Sequence, residues 1–203
     1  MSRALSLVIA AAVAITALSG CAAGPEPVTE ATPIDPGFPV WPGWEPTALH
    51  PEFVLESADF EDEGEFPNTI ELDFKCGGPN IRPELHWSGA PEGTESFVIS
   101  FSFSEFPADR WLAFNVPTDV SELPASSEVP EIGNVGLTSL NTTQFDGPCS
   151  LKGEKFRLWF TAYALDTTLD LDSGAAPSFV REAGAGHVLA AAELAGYRTG
   201  PTE

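Results

Sequence analysis

Few residues in this chain have the types and spacing to do chemistry. His50, His86 and His187 lie far apart and, with Cys21, Cys76 and Cys149, make no zinc-ligand spacing. His86 precedes Trp87 at the start of an expected strand and His187 opens the expected last helix, so both read as structural or surface residues. Ser88-Gly89 has no G-x-S-x-G elbow around it. The acidic run Glu61-Asp62-Glu63-Gly64-Glu65 lacks the alternating ligands and terminal bidentate Glu of a calcium loop. No catalytic residue, metal ligand or cofactor site is assigned. What remains is Cys21 behind an apolar run, the pair Cys76 and Cys149, and the cations Arg110 and Arg157. A guanidinium can grip an anion bidentately, but Glu105 and Asp109 stand close enough to Arg110 in sequence to neutralise it.

Acidic residues number 30 against 9 basic, a formal net charge of -21. Such a chain is repelled by nucleic acid and anionic membranes, so no nucleic-acid partner is expected. Arg3, the apolar run Leu5 to Leu18, and Leu18-Ser19-Gly20-Cys21 form the pattern of a bacterial lipoprotein signal. The run is short for a membrane span. Cleavage before Cys21 and a diacylglycerol on its sulfur are expected, with an ordinary secretory signal as the alternative. The two acyl chains would anchor the protein at the outer, extracytoplasmic face of the cell membrane. Export leaves Cys76 and Cys149 as an even pair in an oxidising compartment, where a disulfide is the natural expectation and two buried thiols the alternative.

The elements that must position these residues are mostly strands. Residues 1–20 are the signal, and residues 21–51 the lipidated cysteine with a proline-rich tether. Phe38, Trp41 and Trp44 are too apolar for a pure spacer; they either fold back on the domain or rest in a membrane interface. Phe53 to Phe60 predicts a first strand, and Thr69 to Phe74 a second by alternation of Ile70, Leu72 and Phe74. Ser96 to Phe103 alternates as a half-buried strand, and Trp111 to Val116 is apolar on both faces, as a central strand is. Thr118 to Gln144 is a long connection, and Lys155 to Leu165 the last long strand. Pro177 suits a first helical turn, Gly184 and Gly186 interrupt, and Val188, Ala191, Ala192 and Ala195 have helical spacing. Two short C-terminal helices are therefore expected, with residues 199–203 as a polar tail. The class is a mostly-β domain over residues 52–198.

The segment KCGGPNIRPELHWSGAPEG (75–93) resembles the phosphatidylethanolamine-binding protein (PEBP) family, in its bacterial Raf-kinase-inhibitor-like branch. The resemblance continues through Phe114-Asn115-Val116-Pro117, Gly147-Pro148-Cys149, Phe160 to Asp166 and Gly186-His187-Val188-Leu189. It implies an antiparallel β-sandwich of Greek-key type. It also implies a small anion pocket with Cys76 and Cys149 near its mouth. That pocket is built from an Asp-Pro-Asp-x-Pro segment, a histidine before an aromatic strand, a His-Arg pair and a Gly-Pro-Cys turn.

This chain departs from the pattern. Phe103 stands for the first aspartate, Arg110 for one histidine and Phe156 for the other. Glu105 keeps a carboxylate at the second acidic position, Pro107 keeps the proline, Arg157 is retained, and only the Gly147-Pro148-Cys149 turn survives intact. Phenylalanine can neither donate nor accept the hydrogen bonds such a site needs, so a drier, smaller, degenerate pocket is expected. The first function reading is a lipid-anchored binding module for a small anionic ligand, lipid head or protein partner. The second is a hydrolase or a protease- or kinase-inhibitor-like activity at the same cleft. The third is a structural role with a filled pocket.

Overall fold

The computed structural model describes residues 34–72, 77–103 and 109–201. These lie in the unit that runs from Ala31 to Glu203. Its centre is a six-stranded sheet in the order β2-β9-β8-β4-β5-β7. The strands are β2 (Gly64–Glu65), β4 (Ser96–Ser102), β5 (Trp111–Val116), β7 (Asn134–Val135), β8 (Lys155–Leu165) and β9 (Val188–Thr199). A second sheet, in the order β1-β3-β6, contains β1 (Val54–Glu56), β3 (Leu85–Ser88) and β6 (Glu122–Leu123). All pairings are antiparallel except β2 with β9.

The two sheets pack through one cluster. Leu55, Leu85, Trp87 and Leu123 from the small sheet meet Phe97, Ile99, Phe101, Leu158, Phe160, Ala162, Ala190, Ala192 and Leu194 from the large one. Each large side chain buried there contributes about 1.5–3 kcal/mol. The opposite face of the large sheet has its own cluster, in which Val98, Leu112, Phe114, Tyr163, Leu165 and Val188 are covered by Trp41, Trp44 and Val180. Val180 belongs to α1 (Pro177–Gly184).

This second layer changes several sequence expectations. Ser96 to Ser102 is buried on both faces instead of one, because the arm around Trp41 and helix α1 cover the face that was read as solvent. Trp41 and Trp44 fold back on the domain: Trp41 stacks on Tyr163 at 5.2 Å between centroids, and Trp44 donates its indole N–H to Arg181 O at 2.8 Å. The proline-rich segment therefore joins the domain well before residue 51.

Other departures are local. The first strand shrinks to Val54–Glu56, because Ser57 and Ala58 turn to bond Glu84. Asn68–Ile70 is a single 3-10 turn where the second strand was expected; Ile70 N–H reaches back to Pro67 O. Residues 73–76 lie outside the described residues.

The largest correction is at the C-terminal end. One helix forms, not two, and Val188–Thr199 is a twelve-residue strand along β8. Its residues alternate: Ala190, Ala192 and Leu194 enter the cluster between the sheets, while Ala191 packs against the cluster on the opposite face. The alanines satisfied a helical period as well as a strand period, and the open edge of β8 decides between them. Thr199 ends this strand, and Gly200 N–H bonds Glu154 O at 2.8 Å.

Candidate functional site

Phe103 lies just past the end of β4, Arg110 just before β5, and Phe156 near the start of β8. Register places these ends together, because Phe101 pairs with Trp111 on one side and with Phe160 on the other. The Phe103 and Phe156 rings are 6.3 Å apart between centroids. Phe103 also touches Phe101 at 6.1 Å, and Phe101 in turn packs on Phe145 at 4.9 Å and on Phe160 at 4.6 Å. Both site rings pack against the main core.

The Arg110 guanidinium carbon sits 4.6 Å from the Phe103 ring centre. Its Nε–H makes a long contact, 3.4 Å, to Asp146 O. Partial burial lowers the guanidinium's proton affinity, opposed by the charge of Asp146. The Asp146 carboxylate is itself committed, accepting from Thr138 Oγ1 at 2.6 Å. Asp109 does not neutralise Arg110. It is buried and takes Arg181 Nη1 on Oδ2, while its Oδ1 has no hydrogen-bond partner among the described residues.

The turn after Phe145 is held rigidly. Gly147 N–H donates to Asn80 Oδ1 at 2.9 Å, and Asn80 Nδ2 donates to Phe145 O at 2.7 Å. A Cβ on Gly147 would lie 1.8 Å from Ile70 O, so only glycine allows this approach. Pro148 O accepts from Leu72 N–H at 2.9 Å.

Arg157 is not part of the group. Successive residues of β8 face opposite ways, and Arg157 pairs with Glu63 at 2.9 Å and Glu193 at 3.1 Å. The structure thus brings Phe103, Arg110 and Phe156 together and sends Arg157 elsewhere. Glu105, Pro107, Cys76 and Cys21 lie outside the described residues; Cys149 is partly buried in the turn after Pro148.

Each histidine has a carboxylate neighbour: His50 with Glu52 at 2.9 Å, His86 with Glu84 at 2.8 Å and His187 with Asp166 at 2.8 Å. Among the described residues, no three His, Cys, Asp or Glu side chains gather as a metal site would require.

Sequence reasoning missed Arg82, which is 2% exposed. It donates to Pro83 O at 2.9 Å and Pro124 O at 2.7 Å, and lies 5.0 Å from the Trp111 ring centre. Burial pulls its pKa down to about 10. An arginine between Ile81 and Pro83 carries no signal of burial, since arginine is almost always exposed unless paired.

Two surface clefts, of about 650 and about 530 Å³, lie elsewhere. Neither is lined by Phe103, Arg110, Gly147, Pro148 or Phe156. The larger contains the buried ion pair Glu71 Oε1 to Arg198 Nε, 2.7 Å, beside Ser150 and Lys152.

The model of the phosphatidylethanolamine-binding protein family matches residues 56–199. The chain belongs to that family. It is 36% identical over 154 residues to a UPF0098 protein of Methanothermobacter thermautotrophicus, covering 72% of this chain and 99% of the relative. It is 33% identical over 151 residues to the UPF0098 protein YbhB of Escherichia coli, covering 69% of this chain and 96% of YbhB. The crystal structure of E. coli YbcL, described as a new member of the mammalian PEBP family, superimposes with a TM-score of 0.66. That match has 26% identity and covers 73% of this chain and 98% of YbcL. Membership accounts for the mostly-β fold with one short C-terminal helix.

Proposed function

We propose that this protein is a lipid-anchored member of the PEBP family that works as a binding module, with its family anion pocket closed by aromatic side chains. The observation that carries the reading is the position of Arg110: the cation lies over the Phe103 ring, and Phe103 lies against Phe156. Where the family resemblance puts an aspartate and two histidines, this chain has two rings and a guanidinium stacked on one of them. Each ring can bury some 150–250 Å², which favours a dry plug over a hydrated anion site. Anchoring at the outer face of the cell membrane rests on the apolar run and Leu18-Ser19-Gly20-Cys21, in residues outside the described ones.

A bond between Cys76 and Cys149 belongs to the same proposal. Leu72 is tied to Pro148, and Asn80 to Phe145 and Gly147. The chain on either side of Cys76 is thus fastened to the turn that bears Cys149.

Calorimetric titration of the purified protein with phosphoethanolamine tests the plug. The expected Kd is weaker than about 1 mM, roughly 4 kcal/mol of binding free energy or less. Phe103→Asp, Arg110→His and Phe156→His made together should strengthen it. Micromolar affinity in the unmodified protein would overturn the reading and make this an ordinary anion-binding member.

A further inference from the structure

The smaller cleft is built by parts of the chain that the family pocket does not use. It is lined by Pro36, Phe38 and Leu49 of the N-terminal arm, by Phe53 just before β1, by Val54 and Leu55 of β1, and by Ala191 and Ala192 of β9. Two of the exposed large apolar side chains, Leu49 at 59% and Val54 at 37%, line this one cleft. Three acids line it as well: Glu56, Asp62 and Glu193.

The acids are under-compensated. The Glu193 side chain is only 9% exposed; Arg157 holds its Oε1, and its Oε2 has no hydrogen-bond partner among the described residues. Arg157 is shared with Glu63. Asp62 spends Oδ1 on the Ala195 N–H at 3.1 Å. Glu56 has only a 3.7 Å approach from His86. His50 faces Glu52 at 2.9 Å. Burial raises the Glu193 carboxyl above the usual range, and the charges of Asp62 and Glu63 push the same way. The cleft thus combines apolar walls with an excess of negative charge and one buried oxygen that lacks a donor.

We infer that this cleft binds a small organic ammonium compound, its apolar body against Phe38, Leu49, Phe53 and Val54 and its charge toward Glu193, Glu56 and Asp62. A charged N–H group among these three carboxylates is attracted by all of them, and the pairing is strengthened by the apolar surroundings. A volume of about 530 Å³ is in the range of small-ligand sites. An anion is repelled by all three carboxylates. The chain's own segment 22–33 is a poor match, because it carries Glu26 and Glu30 and no basic residue.

The test titrates the purified protein with 2-phenylethylammonium, 2-phenylethanol and 3-phenylpropionate, read by calorimetry and amide chemical shifts. The ammonium probe should bind at least about tenfold more tightly than the neutral alcohol, the anion should not bind measurably, and added salt should weaken the complex. Shifts should centre on Leu49, Val54 and residues 191–193. Glu193→Gln should weaken the ammonium probe about tenfold without changing the alcohol. Glu56→Gln and Leu49→Ser, at exposed positions where folding is safe, should each weaken it about threefold. Equal binding of ammonium and alcohol, shifts centred elsewhere, or ammonium affinity unchanged in both Glu193→Gln and Glu56→Gln would overturn the assignment. A failure here leaves the phosphoethanolamine result untouched, since the two sites share no lining residue.

Discussion

Asp109 shows how much one carboxylate can depend on its surroundings. It follows Ala108 in the segment where the family resemblance places anion chemistry, yet it is buried and turned to Arg181. Burial raises its carboxyl above the ordinary aspartate value, and Arg181 only partly offsets this. The folded protein therefore binds the Asp109 proton more tightly than the unfolded chain does. The contribution of this group to stability is fully present below the ordinary value near pH 4 and is lost as pH rises through the raised one. Asp109→Asn, which cannot titrate, should flatten that part of the stability curve. Urea unfolding from about pH 3 to about pH 6 measures it. A slope identical to that of the unmodified protein removes Asp109 as its source.

The N-terminal arm and α1 form one device at the element scale. Trp44 is fully buried, meets Trp41 and Tyr163 edge-on at 4.8 Å each, and bonds the backbone of α1. A Cβ on Gly184 would come within 2.2 Å of Trp44 Cζ2, so the last turn of α1 is shaped around the indole. Trp44→Ala should cost about 3–5 kcal/mol. Gly184→Ala should cost about 1–3 kcal/mol by overpacking the same contact. Both are read as shifts in urea midpoint at constant slope. Losses under about 0.5 kcal/mol for both would mean that the arm contributes little to the fold.

At the scale of the whole molecule, anchoring and the proposed disulfide carry the predictions. Cys21→Ala should abolish incorporation of labelled palmitate and release the protein from membranes. Absence of label in the unmodified protein would count against the lipid anchor. Non-reducing mass analysis should find Cys76 and Cys149 two hydrogens light, and a bond closing a loop of about 70 residues should stabilise by roughly 4 kcal/mol on the chain-entropy model. Two alkylatable thiols in unreduced, exported protein would exclude it. With 30 acids against 9 bases, the proposed lipid has to hold the protein against charge repulsion from an anionic surface.

The sequence by itself was enough for the family and for β4, β5 and β8. These features are written in residue order and in period-2 alternation, which survive without knowledge of neighbours. Tertiary structure alone decided the rest. Val188–Thr199 became a strand because β8 offered an edge, whereas a run of alanines serves either period. Trp41 and Trp44 joined the core because the outer face of the large sheet needed covering. Arg157 left the site because its neighbour Phe156 took the inward face. Arg82 and Asp109 became buried charges only when the chain closed around them. A side chain's environment is supplied by residues distant in sequence, and no local pattern encodes it.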